Sequence, residues 1–167
     1  MAAPTTVDPN REAVERADAL LRATQENVIE DPTVFVKGAA LGTLTTIELA
    51  KLGATKAGDA GVRRFAADLE RHQRALRESL STLAGRKRLD VTDTLVFEDE
   101  EMLKEGAGRS GARFDDWFVL QANAELLKTA TLFEAASKMK DEELAAYARA
   151  SLVQLDADRR ALTALVR

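Results

Sequence analysis

The chain has 167 residues, with 24 Lys and Arg against 28 Asp and Glu (net charge −4), a 46% apolar share, 5% aromatics, one His and no Cys. It is too apolar for a disordered acidic chain, and without Cys it holds no disulfide framework, thiolate metal site or Cys nucleophile. A single domain of this size buries roughly 70% of the surface its unfolded chain exposes, and the mild acidity lacks the basic footprint that nucleic acid demands.

The first twelve residues, MAAPTTVDPNRE, have neither the basic start nor the apolar run of a secretory signal, and no stretch approaches the ~20 apolar residues of a membrane span. This reading makes the chain soluble, cytoplasmic as it stands and periplasmic if a signal peptide has been removed. Pro9 and Pro32 each follow an Asp that can cap a helix with Pro at its first position. Between them Val14, Ala17, Leu21 and Val28 share one face, predicting an amphipathic helix over 10–27. From Asp31 to Gly58 the chain is apolar around most of a helix, through Phe35, Leu44, Ile47, Leu49 and Leu52. Asp59 opens the next helix, with Val62, Phe65, Leu69, Leu76, Leu80 and Leu83 on one stripe and Gly85 where a left-handed terminal residue is wanted.

A shorter connector helix is predicted over 93–105, carrying the acidic patch Glu98 to Glu101. A Gly-rich loop, Gly106 to Gly111, leads to a helix from Asp115 to Met139 striped by Val119, Ala122, Leu126, Ala130 and Phe133. Asp141 caps the last helix, striped by Leu144, Ala148, Leu155, Leu162 and Val166. Helices of this length reach roughly 36–40 Å at ~1.5 Å per residue, enough for a bundle. Three are clear, and the fourth is expected to be that of 10–27 or that of 93–105.

Three motif matches lack the context that gives them meaning. Gly106, Gly108 and Gly111 spell G-x-G-x-x-G, but a helical segment and not a strand precedes them. The basic turn Arg86, Lys87, Arg88 reads as a solvated surface turn beside an acidic patch. Gly38 and Gly42 have the spacing of a membrane helix-dimer motif without its apolar 20-mer, so close helix packing accounts for them. Trp117 and the Phe residues are assigned to the core.

Polar residues inside apolar stripes are the informative feature. On a helical wheel Asp158 falls among Tyr147, Leu155, Leu162 and Leu165, and Glu125 among Phe118, Leu132 and Ala136. His72 lies at the edge of the Leu69–Leu76 stripe, and Glu48 has both Leu44 and Lys51 as neighbours. A buried carboxylate must pair, bind a cation or hold a proton. Glu48, His72, Glu125 and Asp158, one from each of four helical segments, are therefore candidate metal ligands, suited to iron, manganese or zinc. A di-iron carboxylate bundle uses two Glu-x-x-His pairs. One His, preceded at three residues by Leu69, excludes that site.

The runs FVKGAALG (35–42), IELAKL (47–52) and VRRFA (62–66), with Phe114-Asp115, Leu132-Phe133 and YARASL (147–152), resemble the bacterial family called domain of unknown function 4142 over about 33–167. The resemblance implies a ferritin-like bundle, in proteins often described as outer-membrane or exported. It also implies a His at three positions, occupied here by His72, Leu126 and Asp158, together with a Glu at Glu48 and an Asp where Arg71 stands.

The expected architecture is all-α: a ferritin-like four-helix bundle over 33–167 with an additional N-terminal helix in segment 1–32 and a short connector helix. No catalytic constellation is complete, so the leading expectation is a non-catalytic bundle without a cofactor that acts by protein association or small-ligand binding, as a homo-oligomer or with a protein partner, and without nucleic acid or membrane span. The alternative is a ferritin-like protein binding iron, manganese or zinc through Glu48, His72, Glu125 and Asp158.

Overall fold

The computed structural model describes residues 29–166, and the helix expected over 10–27 lies outside them. Among the described residues there are five helices and no strand: α1 Pro32–Lys56, α2 Ala60–Arg86, α3 Phe97–Ala107, α4 Gly111–Ala136 and α5 Glu142–Leu165. The four long ones form the bundle. Of the two candidates for a fourth bundle helix named from the sequence, the one within the described residues, α3, has 11 residues, too few to span the core, and serves as the connector.

Local chemistry starts three of these helices as expected. Asp31, Asp59 and Asp141 accept hydrogen bonds from the N–H groups of Thr33, Val62 and Leu144 at 2.9, 3.0 and 3.2 Å, and Pro32 occupies the first turn of α1. Each such cap is worth about 1 kcal/mol. Two boundaries depart from expectation. Helix α2 runs through Gly85, and the left-handed residue is Arg88, at φ 56°. There Leu89 N–H reaches Ala84 O and Arg88 N–H reaches Gly85 O, a Schellman termination with Arg where glycine is usual. Helix α4 begins at Gly111, itself at φ +57°, four residues before Asp115.

In the bundle α1 packs against α2 and α4, and α5 packs against the same two, so α2 and α4 stand on a diagonal. Contacts fix the directions. Arg77 of α2 donates to Ala40 O at 2.7 Å while an added Cβ at Gly53 would meet Ala66, so α1 and α2 are antiparallel. Gly38 against Leu132 and Gly53 against Phe118 make α1 and α4 antiparallel as well. Helices α2 and α4 thus run the same way, and the chain must travel the length of the bundle between them. Residues 87–110 make that crossing, with α3 laid against α1 and α4. One long crossover in an otherwise up-and-down bundle is the ferritin-like connection.

Three features tie the crossover down. The Arg77 guanidinium, besides holding Ala40 O, donates to Thr92 O. Thr45 Oγ1 donates to Asp99 at 2.7 Å. Gly106 lies beneath the Trp117 ring so closely that a Cβ there would sit 2.0 Å from ring carbon Cη2. The glycine of the G-x-G-x-x-G match is thus a packing residue. Gly38 and Gly42 likewise admit Leu132 and Thr129 against the α1 backbone, as expected of close helix packing.

The core has two aromatic ends. Phe35, Phe133 and Tyr147 meet at centroid distances of 5.2 to 6.3 Å at one end, and Phe65, Phe114, Trp117 and Phe118 at 5.6 to 6.4 Å at the other. Phe97 departs from the core assignment: it opens α3 and is 70% exposed.

Candidate functional site

The polar candidates resolve into separate neighbourhoods. His72 of α2 and Asp158 of α5 come together because the two helices are antiparallel and both residues flank inward-facing stripes. Nδ1 of His72 lies 2.8 Å from Asp158 Oδ1, and Gln154, one turn before Asp158, donates from Nε2 to the same oxygen at 3.0 Å. With Asp158 ionised, the proton resides on Nδ1 and Nε2 is the free ring nitrogen. Asp158 is 4% exposed, while the His72 side chain is about a quarter exposed. Burial pushes the Asp158 carboxyl above the ordinary carboxylate range, and hydrogen bonds from His72 and Gln154 oppose that shift.

Glu125 is buried on α4 as its stripe position requires, with only a 4.0 Å approach to the exposed Lys128. Burial raises its carboxyl too, Lys128 works against the rise, and Asp99 on α3 adds to it. Glu48 is half-exposed and paired with Lys51 one turn on, at 3.2 Å. It lines a groove between α1 and α3 together with Leu52, Leu95, Leu103 and Lys104.

The structure therefore brings together His72 and Asp158, buries Glu125 on α4 apart from them, and leaves Glu48 at the surface. Among the described residues no three His, Asp or Glu side chains are placed to share a metal ion. A ferritin-type centre does not fit this donor set: one imidazole nitrogen and one carboxylate already committed to that imidazole supply too few ligands.

Sequence reasoning passed over Gln154 and Gln73. Both were legible: Gln154 is one turn from Asp158, and Gln73 lies between Leu69 and Leu76 on the clearest apolar stripe in the chain. Gln73 is fully buried.

A groove of about 790 Å³ lies where the start of α2, the first half of α4 and the end of α5 meet. Val62, Val119, Leu162 and Leu165 form its apolar lining, and Leu120 and Val166 stand on it at 65% and 62% exposure. Its charged lining among the described residues is Asp59, Asp115 and Asp116. Asp115 is held by the N–H groups of Gly58 and Asp59 at 2.8 and 2.9 Å, and Asp59 caps α2. Asp156, Arg159 and Arg160 continue the surface past Asn123 and Thr163.

The family model described as domain of unknown function (DUF4142) matches residues 17–165, reaching sixteen residues further toward the N-terminus than the resemblance read from motifs. A solved structure, a DUF305 fragment from Deinococcus radiodurans, superposes with a TM-score of 0.72 at 14% identity, covering 81% of this chain and 96% of that one. That likeness is one of fold. A search of curated proteins returned no match.

Proposed function

The chain belongs to the DUF4142 family, and from that premise we propose that it is a non-catalytic binding module that holds a partner protein through the groove at the α2, α4 and α5 end. The observation that carries this reading is the combination of exposed Leu120 and Val166 over an apolar lining whose charges among the described residues are Asp59, Asp115 and Asp116. Large apolar side chains left in water at a concave site favour covering, and an acidic lining selects a cationic occupant. The occupant that fits is a short amphipathic segment, with apolar residues on Val62, Val119 and Leu162 and a Lys or Arg over Asp116. Asp59 and Asp115 already serve backbone N–H groups, which leaves Asp116 to supply the charge.

The test is titration of labelled protein with two 15-residue amphipathic peptides of equal apolar content, one ending in Lys and Arg, the other in Glu. The basic peptide should bind and shift the amide signals of Val119, Leu120 and Leu162. Leu120→Glu should abolish binding without changing the melting temperature, and Asp116→Lys should turn preference toward the acidic peptide. Equal binding of both peptides, or self-association of the chain through this face, would overturn the reading.

Metal binding is a second reading, favoured by one observation: an imidazole oriented by a buried carboxylate presents a free Nε2, the arrangement that sharpens a His as a ligand. This is not a ferritin-type centre: iron, manganese or zinc would take this nitrogen as its one protein ligand and complete its coordination with water, with Asp158 orienting the ring and Glu48 and Glu125 lying elsewhere. Metal content of the undenatured protein after exposure to each ion decides the point. Stoichiometric retention lost in His72→Asn supports it, and retention unchanged by that substitution refutes it.

A further inference from the structure

Between the two aromatic ends of the core lies a slab built differently. The antiparallel contacts give its level on each helix. Gly42 faces Thr129 and Gly53 faces Phe118, so position 46 of α1 is level with Glu125 of α4. Ala40 faces Arg77 and Gly53 faces Ala66, so the same level falls at His72 and Gln73 of α2. His72 meets Asp158 of α5. Glu125, Thr129, Gln73 and Asp158 thus occupy one slab about 12 Å thick at ~1.5 Å per residue. Among the described residues no aromatic falls within it, and its α1 portion presents Thr43 and Thr46, with Thr129 seated against Gly42.

Six buried side-chain atoms have no protein hydrogen-bond partner among the described residues, and five of them belong to this slab: Gln73 Nε2 and Oε1, Thr129 Oγ1, Glu125 Oε2 and Asp158 Oδ2. The sixth, Trp117 Nε1, lies in the far aromatic cluster. Gln73 is 0% exposed and Thr129 3% exposed, so bulk solvent does not reach them. The hydroxyls of Thr43 and Thr46 are already committed to carbonyls of their own helix, at Ala39, Ala40 and Gly42. A primary amide with both ends unpaired in an apolar interior is among the costlier arrangements a fold can hold. Gln73, Glu125, Thr129 and Asp158 carry these atoms from three helices at one level, and buried polar groups lacking protein partners are characteristically bridged by internal water.

We propose that this slab is an internal binding site for water, a short file of molecules bridging Glu125 and Thr129 of α4 through Gln73 of α2 to Asp158 of α5. The lining selects a small neutral ligand with both donors and acceptors. Gln73 offers one of each and the Thr129 hydroxyl offers both, whereas a cation would want more carboxylate oxygens close together than this lining places there. The file joins the two buried carboxylates whose positions interrupt the apolar stripes of α4 and α5.

The proposal is tested on the full chain, isotopically labelled, by measuring magnetisation transfer from water to the Gln73 side-chain amide. Bound water with a residence time beyond a nanosecond gives a negative water–amide Overhauser effect, which is the expected result. Absence of the effect in the folded protein, or its replacement by transfer from a protein hydroxyl, overturns it. Gln73→Leu gives a second readout of opposite sign for the two cases. If the amide anchors bridging water, the substitution strands the file and lowers the melting temperature by several degrees. If the slab is dry, the same substitution removes an unpaired amide and raises it. Should Gln73→Leu fail to fold, the measurement on the unsubstituted chain still decides.

Discussion

Gly106→Ala and Gly85→Ala are the same substitution in two helices, and the structure assigns them opposite signs. Alanine improves helix propensity by up to about 1 kcal/mol over glycine at an interior position, an upper bound here because each glycine is the next-to-last residue of its helix. At Gly85 an added Cβ meets nothing within 4 Å, so that gain stands alone. At Gly106 the Cβ would lie 2.0, 2.3 and 2.5 Å from Cη2, Cζ3 and Cζ2 of Trp117, where carbon atoms need about 3.5–4.0 Å. The ring has little room to yield. It is 5% exposed and packed at a tilt against Phe114 at 5.6 Å, so α3 must lift off α4 by more than an ångström. Overpacking of a rigid contact costs typically 1–3 kcal/mol, and this overlap belongs at the upper end. Set against the propensity gain, the net loss is about 2 kcal/mol, or roughly 4–8 °C in melting temperature for a domain of this size. Gly85→Ala should instead raise the melting temperature by about 1–4 °C. Thermal unfolding followed by circular dichroism measures both. Trp117 is the only Trp in the chain, so its fluorescence reports the site directly, and its emission should shift to the red in Gly106→Ala alone. A Gly106→Ala protein that melts at or above the unsubstituted chain with unchanged emission would refute the packing argument.

Two further perturbations test the buried charge and the helix end. Glu125 has a folded-state affinity for its proton above that of an ordinary Glu, so its contribution favours the fold below the ordinary Glu range of about 4.3 and is lost as pH rises through the raised value. Glu125→Gln does not titrate, and in urea unfolding it should exceed the unsubstituted chain by about 1 kcal/mol near pH 7, the difference closing toward pH 4. A difference independent of pH would show the carboxyl to be solvated. Arg88 holds the left-handed position that ends α2. Arg88→Gly should stabilise the fold by about 0.5–1 kcal/mol, read in the same urea titration, and a loss would mean that the Arg side chain contributes more than its backbone strain costs.

Much of the candidate chemistry was legible because a helix repeats every 3.6 residues. Counting around the wheel placed Glu125 and Asp158 inside apolar stripes, and both are buried. The same counting would have found Gln73. It could not show what each residue faces, since an azimuth on one helix says nothing about the neighbour. Glu48, set beside Leu44 and Lys51 on the wheel, settles its charge on Lys51 within its own helix. Glu125 is buried with only Lys128 near its carboxyl, while Asp158 meets His72 across the α2–α5 contact.

The amino-acid sequence by itself determined that the chain is helical, where Asp31, Asp59 and Asp141 start three of the long helices, and which faces are apolar. These are consequences of side-chain oxygens reaching nearby N–H groups and of local periodicity, and they need no distant contact. The tertiary structure decided that α2 and α4 stand diagonally and parallel, that 87–110 must therefore cross the bundle, and that Gly106 has to be bare beneath Trp117. Each of those depends on which helix packs against which, and that is settled by the joint burial of stripes far apart in the chain.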